Sequence, residues 1–431
     1  MSKPSKFPLI YRILVSFILG ILLGLAAERW CGKNALDTIL KIVMPFGNVL
    51  VAMLKMVVYP IIFFSLVLGA SSLPMKKSGK VGTIVILWYF ATSLFATLFG
   101  VGLAYLMNPS IQAADRVAGN YMQGAQALSG NAGAATLADF LVGLFQNPFH
   151  ALASGQFLPI IVFAIAFGLA ARCLLDRPQN QDSALVQKML EVFDGIQKTA
   201  FQLVEWVMLY FPIGIFALTF SNFASNGPLL FGPYLRIVLC VMLGVAAMIF
   251  LIYPLALFLF CRENPYRVLM RIRQALLTAF VTRSSAATLP VSFNAMRQLG
   301  VDKSLSSFSL PLGATVNMDG VCVHLPVFVI LAANLFHLQL SALQLTILVT
   351  SILFASIGAG GVPGGSVFLL FMVLENLGLQ PEQVATIVAL ALGINPILDM
   401  FETCCNVAGD NICTYIVAKR NGLCNDTPPA P

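Results

Sequence analysis

The sequence predicts an all-α polytopic membrane protein, and three observations predict it. Of the 431 residues, 58% are hydrophobic and only 10% are charged, whereas a soluble domain carries roughly 25% charged residues. The apolar residues fall in long runs, several of them about 20 residues or more, the length that crosses the hydrocarbon core as a helix. The basic residues gather in short connections between alternate runs, as the positive-inside rule requires. The net charge of +7 is therefore a matter of topology, and no nucleic-acid partner is expected.

The first run, 9–27, has no convincing small-residue cleavage site after it and reads as a retained helix rather than a signal peptide. Ordinary spans follow at 43–70, 81–107, 150–175, 196–224 and 229–260. Lys3, Lys6 and Arg12 flank the first, and Lys76, Lys77 and Lys80 follow the second. Arg172 and Arg177 follow the fourth, Arg262, Arg267, Arg271 and Arg273 the sixth, and Lys419 and Arg420 the last. With all of these in the cytoplasm, both termini lie inside and the Gly/Ala/Gln-rich segment from Asn108 to Gln146 lies outside.

Beyond residue 270 the pattern changes. Residues 272–282 lead into the small polar run from Ser284 to Pro290, and an amphipathic stretch follows. Residues 343–355 lead into a Gly/Ser/Pro run, 356–366, and then into 367–378. These arms are about half the length of a span, so each unit reads as a re-entrant hairpin with its tip in the small residues. Bare backbone at membrane depth is tolerated only where it faces protein or a wet cavity. Between the hairpins, Pro311 to Phe336 carries Gly313, Asn317, Asp319 and Gly320 within an apolar run, which argues for a broken helix. Unwound backbone offers carbonyl oxygens to hard monovalent cations. Tyr89, Thr92 and Ser93 place three hydroxyls within about one turn of the third span.

The last run, Asn395 to Lys419, is apolar enough to span, yet it carries Asn395, Asp399, Glu402, Thr403, Asn406 and Asp410. At about 100° per residue these six fall within one face about 100° wide. A carboxylate in hydrocarbon costs at least ~2.5 kcal/mol. Three on one stripe call for protein cations, coordinated ions or a charged substrate. A polar seam that only joins helices normally uses Ser, Thr or a single Asn. The nine cysteines, Cys404 and Cys405 among them, form no C-x-x-C and read as small buried hydrophobes. The three histidines show no metal-ligand spacing, and His324 reads as a hydrogen-bonded packing residue rather than a proton relay.

The succession SSAATLP, NMDG, SIGAGGVPGG and D-x-x-x-T-x-x-N-x-x-G-D resembles the dicarboxylate/amino acid:cation symporters, the glutamate-transporter superfamily. The likeness extends to residues 45–72 and 147–170 and so covers nearly the whole chain. The resemblance implies eight spans plus two re-entrant helical hairpins, in a homotrimer with an elevator fold. A scaffold would comprise 1–80 (spans one and two) and 108–224 (outer loop, spans four and five). A moving transport domain would comprise 81–107 (span three) and 225–431 (span six to span eight with both hairpins). It further implies sodium as the coupling ion at three places. Gly313, Asn317, Asn406 and Asp410 would form one; Thr315 and Met318 with backbone at Ser356, Ile357 and Ala359 a second; Tyr89, Thr92, Ser93, Asn317 and Asp319 a third. Substrate would meet Ser284, Ser285, Val321, Gly361, Val362, Pro363 and Gly364, its α-carboxylate near Ser285 and Asn406 and its α-ammonium near Asp399 and Thr403.

The departures redirect the substrate. Acidic-substrate members of the family place an arginine where this chain has Glu402, and follow NMDG with threonine where this chain has Val321. Loss of the cation removes the bidentate partner of a side-chain carboxylate, and an anion there adds repulsion. The D-x-x-E-T arrangement of Asp399, Glu402 and Thr403 is similar to the serine/threonine:sodium branch. Glu402 would need a substrate cation, a substrate hydroxyl or an internal partner, for which Arg283 is the nearest candidate by sequence. The expected substrate is a small neutral amino acid, with cationic amino acids next and acidic ones disfavoured. The position matching the proton-linked glutamate of some animal members is Leu325, and the one N-x-S/T sequon, at Asn425, falls on the cytoplasmic tail. Both favour a prokaryotic, sodium-coupled member in the inner membrane. A channel lined by hairpin tips and an intramembrane aspartyl enzyme using Asp319 with Asp399 or Asp410 are the competing readings. Carboxylates set beside Asn and Gly suit cation coordination, so a transporter rather than an enzyme is expected.

Overall fold

The computed structural model describes residues 9–71, 79–110, 142, 145–154, 157–176, 183–357 and 365–424. These are almost entirely helical: α1 (Leu9–Trp30), α2 (Lys33–Ser71), α3 (Gly79–Met107), α4 (Pro148–Ser154), α5 (Phe157–Leu175), α6 (Ser183–Asn226), α7 (Phe231–Ala247), α8 (Tyr253–Cys261), α9 (Pro265–Thr282), α10 (Ser285–Gln298), α11 (Lys303–Val316), α12 (Asp319–Leu335), α13 (Ala342–Ile357), α14 (Gly365–Asn376) and α15 (Pro381–Arg420). Among the described residues, five helical stretches are long and apolar enough to cross a membrane, and six if the bent α15 counts as one span.

Two packing groups organise these helices. In one, α1 and α2 run along α6, and α5 lies on α2. Small residues bring the helices together: a Cβ on Gly20 would stand 2.9 Å from Thr219 Cβ, and one on Gly24 2.8 Å from the carbonyl oxygen of Phe220. Without a hydrophobic drive inside lipid, such close backbone approach supplies the van der Waals contact that holds helices together. In the other group, α3 lies on α12, while α9, α11, α12 and α14 pack on α15.

Each break in a helix has a local cause. Between α7 and α8, Met248–Ile252 widens to a π turn. Pro254 has no N–H to offer the carbonyl of Phe250, and that carbonyl accepts instead from the Tyr266 hydroxyl at 3.2 Å. The two parts of α15, Thr386–Leu392 and Ile394–Arg420, meet at 71°. Pro396 lacks the N–H that Leu392 would accept from, and its ring crowds that turn. Between α11 and α12, Asn317 (φ −100°, ψ 84°) and Met318 (φ −109°, ψ 55°) leave helical geometry, so the break expected within Pro311–Phe336 is present. The N–H of Gly320, freed by the break, is satisfied across the fold by Asn406 Oδ1 at 2.7 Å.

The helix pairs α9–α10 and α13–α14 pack as hairpins. The first differs from the sequence reading in two ways. Its outer arm starts at Pro265 rather than 272, because Asn264 caps it, accepting from Tyr266 N at 3.1 Å with Pro265 at the first position. Its tip is not the whole run Ser284–Pro290 but only Arg283, in the left-handed region (φ 54°), and Ser284. Ser284 Oγ accepts from Ala287 N at 3.2 Å and so starts α10 at once. In the second hairpin the tip, 358–364, lies outside the described residues. The final helix begins at Pro381, not 395, behind a capping box made by Gln380 and Gln383.

Candidate functional site

The six polar residues of the α15 stripe are all buried, from Glu402 at 1% exposure to Thr403 at 5%. Their shared face turns inward onto α9, α10, α11, α12 and α14. Asn395 Oδ1 accepts from Ser366 Oγ at 3.2 Å. Asp399 lies 3.8 Å from the Arg283 guanidinium at the first hairpin's turn, both side chains nearly enclosed. Thr403 Oγ1 donates to the Asp399 carbonyl at 2.8 Å. Asn406 binds the Gly320 N–H through Oδ1 and approaches Met318 Sδ through Nδ2 at 3.3 Å. Asp410 Oδ1 accepts from Asn317 Nδ2 at 3.1 Å.

Around the α11–α12 break a second cluster gathers on Asp319, which has no solvent exposure. Its Oδ1 accepts from Ser93 Oγ at 2.8 Å and its Oδ2 from the Tyr253 hydroxyl at 2.6 Å. Thr92 Oγ1 lies 3.1 Å from Asn317 Oδ1 and 3.2 Å from the Tyr89 carbonyl. Asn317 therefore joins Asp319's neighbourhood to Asp410. Gly313 makes room for the second carboxylate: a Cβ there would stand 2.5 Å from Asp410 Oδ1 and 2.7 Å from the Tyr89 hydroxyl.

The Tyr89 side chain turns to α11. Its hydroxyl lies 2.9 Å from both the carbonyl and the hydroxyl of Ser309, and Ser309 Oγ lies 2.7 Å from Thr414 Oγ1. Only its backbone oxygen faces Thr92. Thr315 Oγ1 and Ser356 Oγ are turned back onto carbonyls of their own helices, Leu312 O at 2.9 Å and Leu353 O at 2.8 Å. Ile357 ends α13, while Ala359, Gly361, Val362, Pro363 and Gly364 lie outside the described residues. Val321 is buried beside Gly320, and Ser285 Oγ is buried with no hydrogen-bond partner among the described residues.

Glu402 has a partner that sequence proximity did not suggest. Arg283 reaches Asp399, one turn away on α15, while Glu402 Oε1 meets His324 Nδ1. The backbone explains this. Gly320 presses α12 onto the backbone of residue 402, where a Cβ would stand 2.7 Å from Glu402 Cα. One helical turn on from Gly320, His324 shares that face and meets the carboxylate. Tyr253, Ser309 and Thr414 are the site neighbours that sequence reasoning missed. His324, expected there as a packing residue, is the neighbour of Glu402.

Among the described residues no three His, Cys, Asp or Glu side chains converge as a transition-metal site would require. The donor set around Asp319 and Asp410 is instead one carboxylate each with amide, hydroxyl and carbonyl oxygens, which suits hard cations. A model for the sodium:dicarboxylate symporter family matches residues 9–420. The chain belongs to that family. It is 33% identical over 439 residues to the human neutral amino acid transporter B(0), covering 93% of this chain and 78% of that protein. It is 32% identical over 406 residues to the serine/threonine transporter of Bifidobacterium adolescentis, covering 93% and 87%. It is 29% identical over 423 residues to the proton/glutamate-aspartate symporter of Escherichia coli, covering 97% and 94%. A multi-pass membrane transport protein is thus what both the helices and the family describe.

Proposed function

We propose that this chain is a sodium-coupled symporter of a small neutral amino acid, working as a homotrimer in the cell membrane with both termini in the cytoplasm. The α1–α2–α5–α6 group (1–80 and 108–224) acts as scaffold, and α3 with residues 225–431 as the part that carries substrate across. Sodium is held by the oxygens around Asp319, Asn317, Asn406 and Asp410, with backbone at Gly313. The amino acid lies against the α15 stripe, its ammonium at Asp399 and Thr403, its carboxylate at Asn406 and the unpartnered hydroxyl of Ser285. The observation that carries the substrate class is Glu402. A buried carboxyl group, not a cation, stands where an acidic side chain would otherwise be bound, and relatives named for neutral amino acids and for serine and threonine cover most of the chain.

Uptake into proteoliposomes tests this reading. Labelled serine and threonine should accumulate under an inward sodium gradient and not when choline replaces sodium, while aspartate and glutamate should not accumulate. Equal uptake in sodium-free medium driven by a proton gradient would overturn sodium in favour of protons. Micromolar transport of aspartate would overturn the argument from Glu402.

A further inference from the structure

We propose that His324 is the fixed counter-group of Glu402, and that the pair selects amino acids whose side chain carries a neutral hydroxyl or carboxamide. The inference rests on the symporter reading and deepens it. Both side chains are 1% exposed, and Nδ1 of the histidine lies against Oε1 of the carboxylate. The contact is one of close approach rather than a well-angled hydrogen bond. None of the four polar atoms of the pair, His324 Nδ1 and Nε2 and Glu402 Oε1 and Oε2, makes a hydrogen bond among the described residues. Buried polar atoms are nearly always satisfied, so a pair serving only to join two helices would not leave all four unmet. Phe328, with its ring centroid 4.8 Å from that of the imidazole, holds the histidine in place.

Charge balance then assigns the role. The described charged groups along this part of the stripe are Arg283 and Asp399, which face each other, and Glu402 and His324, which face each other. The imidazole occupies the side of the carboxylate that a cationic side chain would otherwise take, so such a side chain gains little there. What remains is a carboxylate oxygen beside a ring nitrogen, the complement of a hydroxyl or an amide. Take away the histidine and Glu402 becomes a bare buried anion, which a lysine or ornithine side chain would neutralise.

The experiment compares serine and lysine uptake by wild-type protein, His324→Leu and His324→Leu/Glu402→Gln in proteoliposomes under a sodium gradient, with each variant's melting temperature and oligomeric state recorded. Removing one member of a buried charged pair should lower the serine-to-lysine ratio about 10- to 100-fold in His324→Leu. The double variant, which removes the stranded charge, should recover serine uptake over the single variant. If His324→Leu fails to fold, the double variant alone decides: folded protein that takes up serine supports the pair, and failure to fold or to take up serine overturns it. A His324→Leu protein that folds and keeps the wild-type ratio overturns the pair while leaving the symporter reading intact. Wild-type protein that takes up neither serine nor threonine overturns the reading on which the pair rests.

Discussion

Gly320→Ala puts the packing that builds the site to the test. A Cβ at this position would lie 2.7 Å from Glu402 Cα and 2.8 Å from its carbonyl carbon. Carbon atoms pack at ~3.5–4.0 Å, and the obstacle is backbone that no rotamer can move. α12 and α15 must therefore part by about 1 Å. That separation takes the Gly320 N–H···Oδ1 Asn406 bond from 2.7 Å past the ~3.2 Å limit of a useful hydrogen bond. Overpacking costs about 1–3 kcal/mol and the stretched bond about 1 kcal/mol, against about 1 kcal/mol that alanine returns in helix propensity. The net is a loss of about 1–3 kcal/mol, and because His324, Glu402 and Asn406 all shift, uptake should fall about 100-fold for such a displacement. Gly102→Ala is the matched control: it lies in α3 with nothing within 4 Å of its Cβ, so it should melt no lower than wild type. Purified variants are compared by thermal melting in sodium and by serine uptake. A Gly320→Ala protein that melts and transports like wild type would refute the reasoning.

Three further outcomes are expected. Asp399→Asn leaves Arg283 nearly enclosed without its anion, and serine binding by isothermal calorimetry should weaken about 100-fold or more. Glu402→Arg should abolish serine uptake and, with Val321→Thr, allow aspartate uptake; an arginine variant that still prefers serine would count against Glu402 as the selector. At the cytoplasmic end, burial pushes the Glu263 carboxyl up, but hydrogen bonds from Lys419 (2.8 Å) and Tyr415 (2.7 Å) outweigh it and hold it below the ordinary carboxylate range. Its folded-state value is depressed, so its contribution is present above the unfolded value of about 4.3 and is lost as pH falls through the folded one. Melting temperature should therefore drop on acidification below about pH 4, and the drop should be smaller in Glu263→Gln.

What was legible in the sequence was whatever helical geometry writes into one dimension. The α15 stripe needed only the rotation per residue, and the burial of all six members follows from it. The break at Asn317 and Met318 was legible because Pro, Gly, Asn and Asp inside an apolar run conflict with an unbroken span. The Ser284–Pro290 run looks like loop because its residues are small and polar, yet Ser284 is a helix cap. Asn264-Pro265 is a start signal of the same kind. Pairings between helices were not legible. Asp399 and Glu402 lie about one turn apart on the stripe, and the αL turn at the hairpin directs Arg283 to Asp399. Tyr253 reaches Asp319 because the π turn precedes it, and His324 reaches Glu402 because Gly320 has no side chain. Such contacts depend on how close two backbones come, a quantity periodicity does not carry.

Among the described residues, the four buried carboxylates divide in a way that bears on coupling. Asp399 and Glu402 each face a basic side chain, Arg283 and His324. Among the described residues, Asp319 and Asp410 face neutral donors: Ser93 and Tyr253 for one, Asn317 for the other. Hydroxyls and amides hold an anion in place but leave its charge uncompensated, and an uncompensated buried charge is strongly unfavourable. The missing charge comes with a bound cation or a proton, and on the sodium reading proposed above the folded protein should be more stable in sodium than in an impermeant organic cation. A site filled at 100 times its dissociation constant adds about 2.7 kcal/mol, and the melting temperature should rise with sodium and keep rising slowly with its logarithm. Asp319→Asn and Asp410→Asn each remove one charge that needed compensation. Each should melt higher than wild type in sodium-free buffer and gain less on adding sodium. Substrate binding should tighten with sodium in wild type and lose that dependence in the variants, since the linkage is reciprocal. Equal melting temperatures in sodium and in N-methylglucamine, for wild type and both variants, would show that the charge on Asp319 and Asp410 is compensated by something other than the coupling ion.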